Sequence, residues 1–154
     1  MESTTEASRP VLETSLPWQP ISNGFSLKAL RATSDREARV LLLRLEPGTV
    51  IPRHRHSGEV HAYNLAGRRK LLDTGEIVGP GGYVYEPAGN VDSWMAVGDE
   101  TLVVLVVVRG AVEYLDDAGQ VLSRSTTGST GEAYRRYCES AIVLETREAR
   151  ASRA

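Results

Sequence analysis

The chain has 154 residues, of which 41% are hydrophobic and 25% are charged, and its formal net charge is −2 at pH 7. These values fit one globular domain with an ordinary core, and the weak net charge excludes the strongly basic proteins that bind nucleic acids or anionic membranes. The single cysteine, Cys138, excludes an internal disulfide and is typical of a reducing compartment. The first eight residues lack the basic and apolar segments of a signal peptide, so we expect a cytoplasmic location.

Short strands separated by turn residues are predicted along most of the chain. Residues 1–16 are polar and predict a flexible arm, after which a single domain is predicted over residues 17–144. The segments rich in β-branched and apolar residues predict strands at 25–30, 38–45, 60–65, 69–72, 82–86, 93–97, 101–108, 111–115 and 121–123. Glycine, proline or aspartate stands between most of them, as turns require. Many short strands with regular turns indicate an all-β barrel or sandwich.

One helix is predicted near the end of the chain, at about residues 130–141. Ser129 and Glu132 resemble a capping box. The residues that then follow at helical spacing, three or four apart, are Tyr134, Tyr137, Cys138 and Ala141. This stripe should pack on the outside of the barrel or on another subunit, which makes Cys138 a packing residue rather than a nucleophile. The charged tail at 145–154 is predicted to be loose.

All three histidines of the chain lie between residues 54 and 61. His54 and His56 are two positions apart, so on an extended strand both imidazoles lie on one face. His61 follows the Ser57-Gly58 break, which can begin a neighbouring strand and bring a third imidazole to the same point. Imidazole is a ligand for zinc, copper, iron and nickel. The alternative is a His-x-His pair on a solvent-facing strand.

A second segment, Gly81 to Asp92, supports a metal site. A strand that begins at the glycines ends in the turn Pro87-Ala88-Gly89, and the next strand opens with the acid Asp92. Two strand ends can therefore face one metal ion.

These two segments resemble the paired motifs of the cupin superfamily. Gly48, His54, His56 and Gly67 match the first motif, and His61 stands near the place of its glutamate. Gly81, Pro87 and Gly89 match the second motif, in which Asp92 replaces the histidine and Ala96 the asparagine. The resemblance implies an all-β double-stranded β-helix, the cupin jelly-roll barrel, with one carboxyl-terminal helix.

A narrower resemblance runs from Trp18 to about Tyr137. It is carried by the runs Arg53–His56, Val60–Tyr63, Glu86–Gly89 and Tyr134–Cys138, which are similar to the 2,4'-dihydroxyacetophenone dioxygenase family and its relative acetylacetone dioxygenase. The resemblance implies a non-haem Fe(II) dioxygenase. Such an enzyme cleaves a C–C bond of an α-hydroxyketone or β-diketone that is chelated to the metal, with dioxygen as the second substrate.

The metal ligands stay open at this stage, because the later histidine of the family is Asp92 here. His54, His56 and Asp92 make a two-His-one-carboxylate set, which is associated with non-haem iron. His61 either completes a four-ligand set or lies beside it. Alternatively the three histidines bind alone, or the substitution has degraded the site. Glu59 is a weaker ligand candidate, expected at the rim.

Four residues are candidates for a catalytic role beside the metal: Asp92, Trp94, Tyr63 and Arg44. Trp94 shares the face of Asp92, Tyr63 shares the face of His61, and Arg44 suits an anionic or ketone oxygen if it points inward. Glu86 is expected to be an internal or rim carboxylate rather than a ligand, in a place where it could orient a histidine ligand. For Trp94, Tyr63 and Arg44, the alternative is a role in barrel packing or as a surface charge.

Two other functions remain open beside the dioxygenase. A cyclase, isomerase or decarboxylase that acts through an enolate requires the same site with zinc, nickel or manganese in place of iron. A cupin that senses a metal or ligand without catalysis is the third possibility. Expected partners are a small ketone substrate and a second copy of the chain in a homodimer, by analogy with other cupins, without nucleic acid or membrane.

Overall fold

The structure is a computed structural model that describes residues 7–153. A 3₁₀ turn at Glu13–Ser15 precedes the strands and the helix. The strands are β1 (Gln19–Ser22), β2 (Phe25–Arg31), β3 (Arg39–Leu45), β4 (Val50–His56), β5 (Val60–Ala66), β6 (Arg68–Leu71), β7 (Ile77–Val78), β8 (Tyr83–Glu86), β9 (Val91–Val97), β10 (Leu102–Val108), β11 (Val112–Leu115) and β12 (Val121–Ser125), and the helix is α1 (Thr127–Ala151).

The strands form two six-stranded antiparallel sheets. The order is β1-β2-β3-β10-β5-β8 in the first sheet and β12-β11-β4-β9-β6-β7 in the second. Strands distant in the chain are therefore neighbours, as where β10 lies between β3 and β5. The prediction of an all-β fold with one carboxyl-terminal helix is confirmed.

The core lies between the two sheets and follows from strand alternation. In β10, Leu102, Val104, Val106 and Val108 are buried, while the residues between them are half-buried on the outer face. Ile51 and Trp94 reach the same core from the second sheet. Removing these apolar side chains from water is the main stabilising contribution that holds the sheets face to face.

The nine predicted strands all occur, with ends that shift by at most two residues. Residues 7–153 contain three further strands. One of them, β4, contains the His-x-His pair, for which an extended strand was considered, whereas β1 and β7 had no clear signal. β1 contains Pro20, which lacks an amide hydrogen, and its pairing with β2 is irregular at that point. β7 is only two residues long. Both are edge strands, where the hydrophobic alternation that reveals a strand is weakest.

Helix α1 differs from its predicted bounds at both ends. Its N-cap is Thr126, whose hydroxyl accepts a hydrogen bond from the Ser129 amide while the Ser129 hydroxyl accepts one from the Thr126 amide. The capping box therefore lies three residues before the predicted one. The helix continues to Ala151 through most of the predicted loose tail, because residues 142–151 contain no glycine or proline to end it.

The amino-terminal segment is joined to the rest of the molecule by polar contacts. The predicted arm lies partly outside the described residues, but Glu13 accepts hydrogen bonds from Lys28 Nζ through both its carbonyl and its carboxylate, each at 2.8 Å. The hydroxyl of Tyr134 in α1 donates to the Pro17 carbonyl at 2.7 Å. Among residues 7–153, no helix has the length and apolar character that crossing a bilayer would need.

Candidate active-site cavity

Strand β4 turns both histidines of the His-x-His pair into the space between the sheets. The pairing of β4 with β9 is irregular between Ile51 and His54, where Pro52 has no amide hydrogen to donate. As a result Ile51, His54 and His56 all point inward. His54 and His56 are only 3% and 5% exposed, and both line a cavity.

The hydrogen bond of His54 determines its tautomer. Its Nδ1 lies 2.7 Å from the Pro52 carbonyl, which can only accept, so the proton is on Nδ1 and Nε2 keeps a free lone pair. Burial lowers the pKa of His54, and burial together with the neighbouring His54 lowers the pKa of His56 to about 4. Both imidazoles are therefore neutral at pH 7. Within residues 7–153, the buried Nδ1 of His56 has no hydrogen-bond partner.

Two carboxyl groups complete this buried cluster. Asp92 is the cross-strand partner of His54, and Glu86 at the end of β8 places Oε2 3.7 Å from His56 Nε2. Burial, and then the hydrogen bond with Asp92, raise the pKa of Glu86 to about 8. Glu86 therefore holds a proton near neutral pH and donates it to Asp92.

The donor types in this cluster fit a divalent metal ion. Imidazole nitrogens and carboxylate oxygens together ligate zinc and non-haem iron, and the lone pair of His54 is free. Within residues 7–153, however, no three His, Cys, Asp or Glu side chains are grouped so that they would hold one ion. A cation bound by both carboxylates would have to displace the proton in the hydrogen bond between Glu86 and Asp92.

His61 does not join this cluster, which corrects the expectation of three converging imidazoles. Alternation in β5 points Val60 and Ala62 inward and His61 outward, where its side chain is 40% exposed. Its Nδ1 lies 2.5 Å from the Tyr83 hydroxyl. The Ser57-Gly58 turn sets this parity, and Val60, between Glu86 and Val108 in the sheet, occupies the inward position instead.

Two other predicted site residues also lie outside the cavity. Tyr63 shares the outer face of His61, as predicted, and is exposed there. Arg44 lies on the outer face of β3, with its guanidinium 4.4 Å from the centre of the Trp18 ring. Glu59 pairs with Arg109 at 3.3 Å. The structure thus brings His54, His56, Asp92 and Trp94 together and separates His61, Tyr63 and Arg44 from them.

The cavity between the sheets has a volume of about 350 Å³, enough for a small organic molecule. Much of its wall is apolar and comes from both sheets, with Leu41, Val60, Trp94, Val106 and Val108 among the lining residues. Polar groups from both sheets and from the start of α1 interrupt this wall: His54, His56, Arg69, Glu86, Arg39, Tyr114, Ser125, Ser129 and Thr130.

Three polar residues of the cavity were not anticipated. Arg69 is buried with its guanidinium 4.9 Å from the Trp94 ring centre, and its Nε and Nη2 have no hydrogen-bond partner in the part of the chain that the structure describes. Tyr114 is the cross-strand partner of His54, and their rings are 5.6 Å apart. Arg39 enters from β3. A lone arginine in a strand resembles a surface charge, and only strand register reveals that these residues face inward.

Residues 8–113, more than half of the chain, match the model of the ChrR cupin-like domain. The chain belongs to this family. The predicted cupin resemblance is therefore confirmed. No curated protein matches the chain.

Solved structures confirm the cupin fold. An RmlC-like cupin protein from Ralstonia eutropha JMP134 is 23% identical over 91% of this chain and 92% of that one, with a TM-score of 0.83. An acetylacetone dioxygenase from Acinetobacter johnsonii is 14% identical over 88% and 95%, with a TM-score of 0.74. A chain from the complex of Rhodobacter sphaeroides SigE with the anti-sigma ChrR is 19% identical over 60% and 49%, with a TM-score of 0.54.

Proposed function

We propose that this cupin is a metal-dependent enzyme that acts on a small carbonyl compound. The observation that carries the proposal is the buried cluster of two neutral imidazoles and two carboxyl groups at an apolar cavity. His54, His56 and Asp92 are the proposed ligands, with Glu86 as a fourth donor once it has lost its proton. A bound divalent ion would supply Lewis-acid polarisation of a carbonyl oxygen.

Three features of the chain itself favour ligand binding and proton transfer at this site: the orientation of His54, the apolar wall and the proton of Glu86. Pro52 holds the His54 ring with Nε2 free, which is the orientation that a nitrogen ligand requires. Trp94, Val60 and Val106 exclude water from the cavity wall. The proton of Glu86 lies beside the two histidines and is available for transfer to a substrate oxygen.

The specific reaction that we propose is dioxygen-dependent cleavage of a C–C bond in an α-hydroxyketone or β-diketone, with Fe(II) as the metal. Support comes from the motif resemblance to the 2,4'-dihydroxyacetophenone dioxygenase family and from the fold shared with an acetylacetone dioxygenase. The apolar wall suits the carbon skeleton of such a substrate. A non-redox enzyme with zinc, nickel or manganese would use the same residues.

A second candidate function is sensing of a metal or ligand without turnover. It is favoured by the match to the ChrR cupin-like family and by the fold shared with a chain of the SigE–ChrR complex.

Metal analysis tests these proposals first. The protein is purified without chelator, and iron, zinc, nickel and manganese are measured before and after anaerobic loading with Fe(II). We expect near-stoichiometric iron after loading, and oxygen uptake when an aromatic hydroxyketone or diketone is added. Retention of another metal would favour the non-redox enzyme, and iron without turnover would favour the sensor. No retained metal would contradict both enzymes and a metal sensor, and would leave only a sensor of a small ligand.

The role of Asp92 is tested by substitution. Asp92→Asn should weaken metal binding by about 10- to 100-fold, because a neutral amide replaces a charged ligand. Competition with a chelating dye measures this affinity. Asp99→Asn, on an exposed turn, is the matched control and should bind metal like the wild type. Equal affinity in Asp92→Asn would remove Asp92 from the ligand set.

A further inference from the structure

Arg39 is a buried cation in the cavity wall that the proposed metal chemistry does not use. Strand β3 alternates so that Arg39, Leu41 and Leu43 all line the cavity, while Arg44 faces the opposite way. The Arg39 side chain comes from the edge of the core next to the start of α1, and the residue is only 2% exposed.

Every hydrogen bond that the Arg39 guanidinium makes in the described structure goes to a neutral oxygen. Nη1 donates to the Ser125 hydroxyl at 3.1 Å, to the Thr126 carbonyl at 3.0 Å and to the Thr130 hydroxyl at 2.5 Å. Nη2 makes a long contact of 3.5 Å with the Ser125 carbonyl. Among the described residues, the buried Nε has no partner. The guanidinium is thus held firmly in place, while its Nε–H and one N–H of Nη2 remain without an acceptor.

No carboxylate among residues 7–153 forms an ion pair with Arg39. The acid that acts on it electrostatically, Asp35, is exposed and accepts a hydrogen bond from the Gly128 amide at 2.7 Å. Burial lowers the pKa of Arg39 to about 10, so the side chain is still a cation at neutral pH. A buried charge without a directly bonded counter-charge is unfavourable, and an anionic ligand in the cavity would relieve this penalty.

Groups near Arg39 define the shape of such a ligand. Tyr114 lines the same cavity as Arg39, and its ring is 5.6 Å from that of His54. Leu41, Val108 and Val112 line the cavity as apolar wall. A ligand that fills the cavity therefore needs an anionic group at Arg39, an apolar body, and a polar group at the histidines.

We propose that Arg39 binds the carboxylate of a small organic acid, so that the cavity selects acidic ketones over neutral ones. A guanidinium matches a carboxylate through two parallel hydrogen bonds, which a neutral ketone cannot form. The ketone end of this ligand rests on the proposed function, whereas the carboxylate contact depends only on Arg39 and its surroundings.

The test compares one acid with its own ester. The full-length protein, freed of metal with a chelator, is titrated by calorimetry with 4-phenyl-2,4-dioxobutanoate and with its methyl ester. Both compounds carry the same diketone, and without a metal ion the carboxylate of the acid cannot gain affinity by chelation. We expect the acid to bind about 10- to 100-fold more tightly, as for a charge-assisted hydrogen bond. Equal affinities in the wild type would overturn the proposal, and this comparison needs no variant.

Substitutions then assign the preference to Arg39. Arg39→Met should abolish the difference between acid and ester, and Arg39→Lys should keep part of it, since an ammonium retains the charge without the planar donor pair. Arg44→Met, on the outer face of the same strand, is the matched control and should keep the full preference. A full preference in a folded Arg39→Met variant would contradict the assignment. Should that variant unfold, Arg39→Lys decides: a reduced preference supports the assignment, and an unchanged preference contradicts it.

The experiments distinguish failure of the Arg39 proposal from failure of the dioxygenase proposal. An acid preference without oxygen uptake in the iron-loaded protein would support the Arg39 contact and contradict the dioxygenase. Oxygen uptake with equal binding of acid and ester would support the dioxygenase and contradict the Arg39 contact.

Discussion

At the scale of single residues, the same residue type has opposite roles according to strand parity. His54 and His56 are buried at the cavity, whereas His61 is on the outer face beside Tyr83. Arg39 and Arg44 lie five positions apart on β3, an odd separation that places one inside and the other against Trp18. Residue type alone therefore does not identify the members of the site.

Trp94 is the residue whose loss we expect to be most destabilising. It is buried in the core, and the Arg69 guanidinium lies 4.9 Å from its ring centre. Trp94→Ala should lower the free energy of unfolding by about 3–5 kcal/mol, because it leaves a cavity next to a buried cation. Urea unfolding measures this loss. Trp18→Ala, at a half-buried ring on the outer face, should be much milder, and equal losses would contradict the assigned packing.

At the scale of elements, helix α1 joins the strands through its first two turns. Thr127 is buried and its hydroxyl donates to the Glu37 carbonyl, and Tyr134 is buried further along. The exposed residues of the carboxyl-terminal half include Ile142, Val143 and Leu144. Docking of the helix therefore depends on close contacts near its beginning.

Gly131 makes one of these close contacts. A Cβ at this position would lie 1.8 Å from the Ala32 carbonyl oxygen, which is backbone and cannot turn away. Gly131→Ala should therefore destabilise the protein by about 1–3 kcal/mol in spite of the higher helix propensity of alanine. Thermal unfolding measures the effect. In Gly119→Ser, at an exposed turn where an added Cβ meets no atom within 4 Å, only backbone strain should appear. A stabilised Gly131→Ala would contradict the packing.

Asp35 gives the start of α1 a pH dependence. The hydrogen bond from the Gly128 amide, and then that from Thr126, lower the pKa of Asp35 below its usual 3.8. The unfolded chain thus binds a proton more readily, so this stabilisation is complete above about pH 4 and is lost as the pH falls through the lowered pKa. Asp35→Asn should make stability fall less steeply on acidification, measured by urea unfolding from about pH 6 to about pH 2. Asp117→Asn, on an exposed turn, should leave the slope unchanged.

At the scale of the whole molecule, the proposed metal ligands come from both sheets. His54, His56 and Asp92 lie on β4 and β9 of the second sheet, and Glu86 lies on β8 of the first. A ligand that contacts all four would therefore link the sheets and stabilise the folded state relative to the unfolded one.

Added metal should accordingly raise the melting temperature. A divalent ion at about one hundred times its dissociation constant adds about 2.7 kcal/mol to the free energy of unfolding. For a chain of this length, that is about 5–10 °C in Tm. Differential scanning calorimetry with Zn(II), or with Fe(II) under nitrogen, measures the shift, and His54→Ala with His56→Ala should remove it. A Tm that does not respond to any divalent metal would count against the metal site.

The sequence by itself determined nine of the strands, most of the turns and the placing of His54 and His56 on one shared face. Alternating apolar residues and glycine turns act locally, and His54 and His56 share a face on any extended strand. Tertiary structure decided which face that was, and it decided that Val60 rather than His61 faces the cavity. These outcomes depend on the irregular pairing at Pro52 and the turn at Ser57-Gly58. A shift of one residue exchanges the faces of a strand, and no local pattern fixes that register.

Tertiary structure also brings together residues from strands that are distant in the chain. Glu86 and Asp92 are predicted from the motif, but their shared proton arises only because both are buried together. Arg39 and Arg69 carry no local sign of burial. Arg39 faces the cavity because of the register in which β3 pairs with β10, and Arg69 because of the register in which β6 pairs with β9. Burial of the apolar core between the two sheets stabilises both registers.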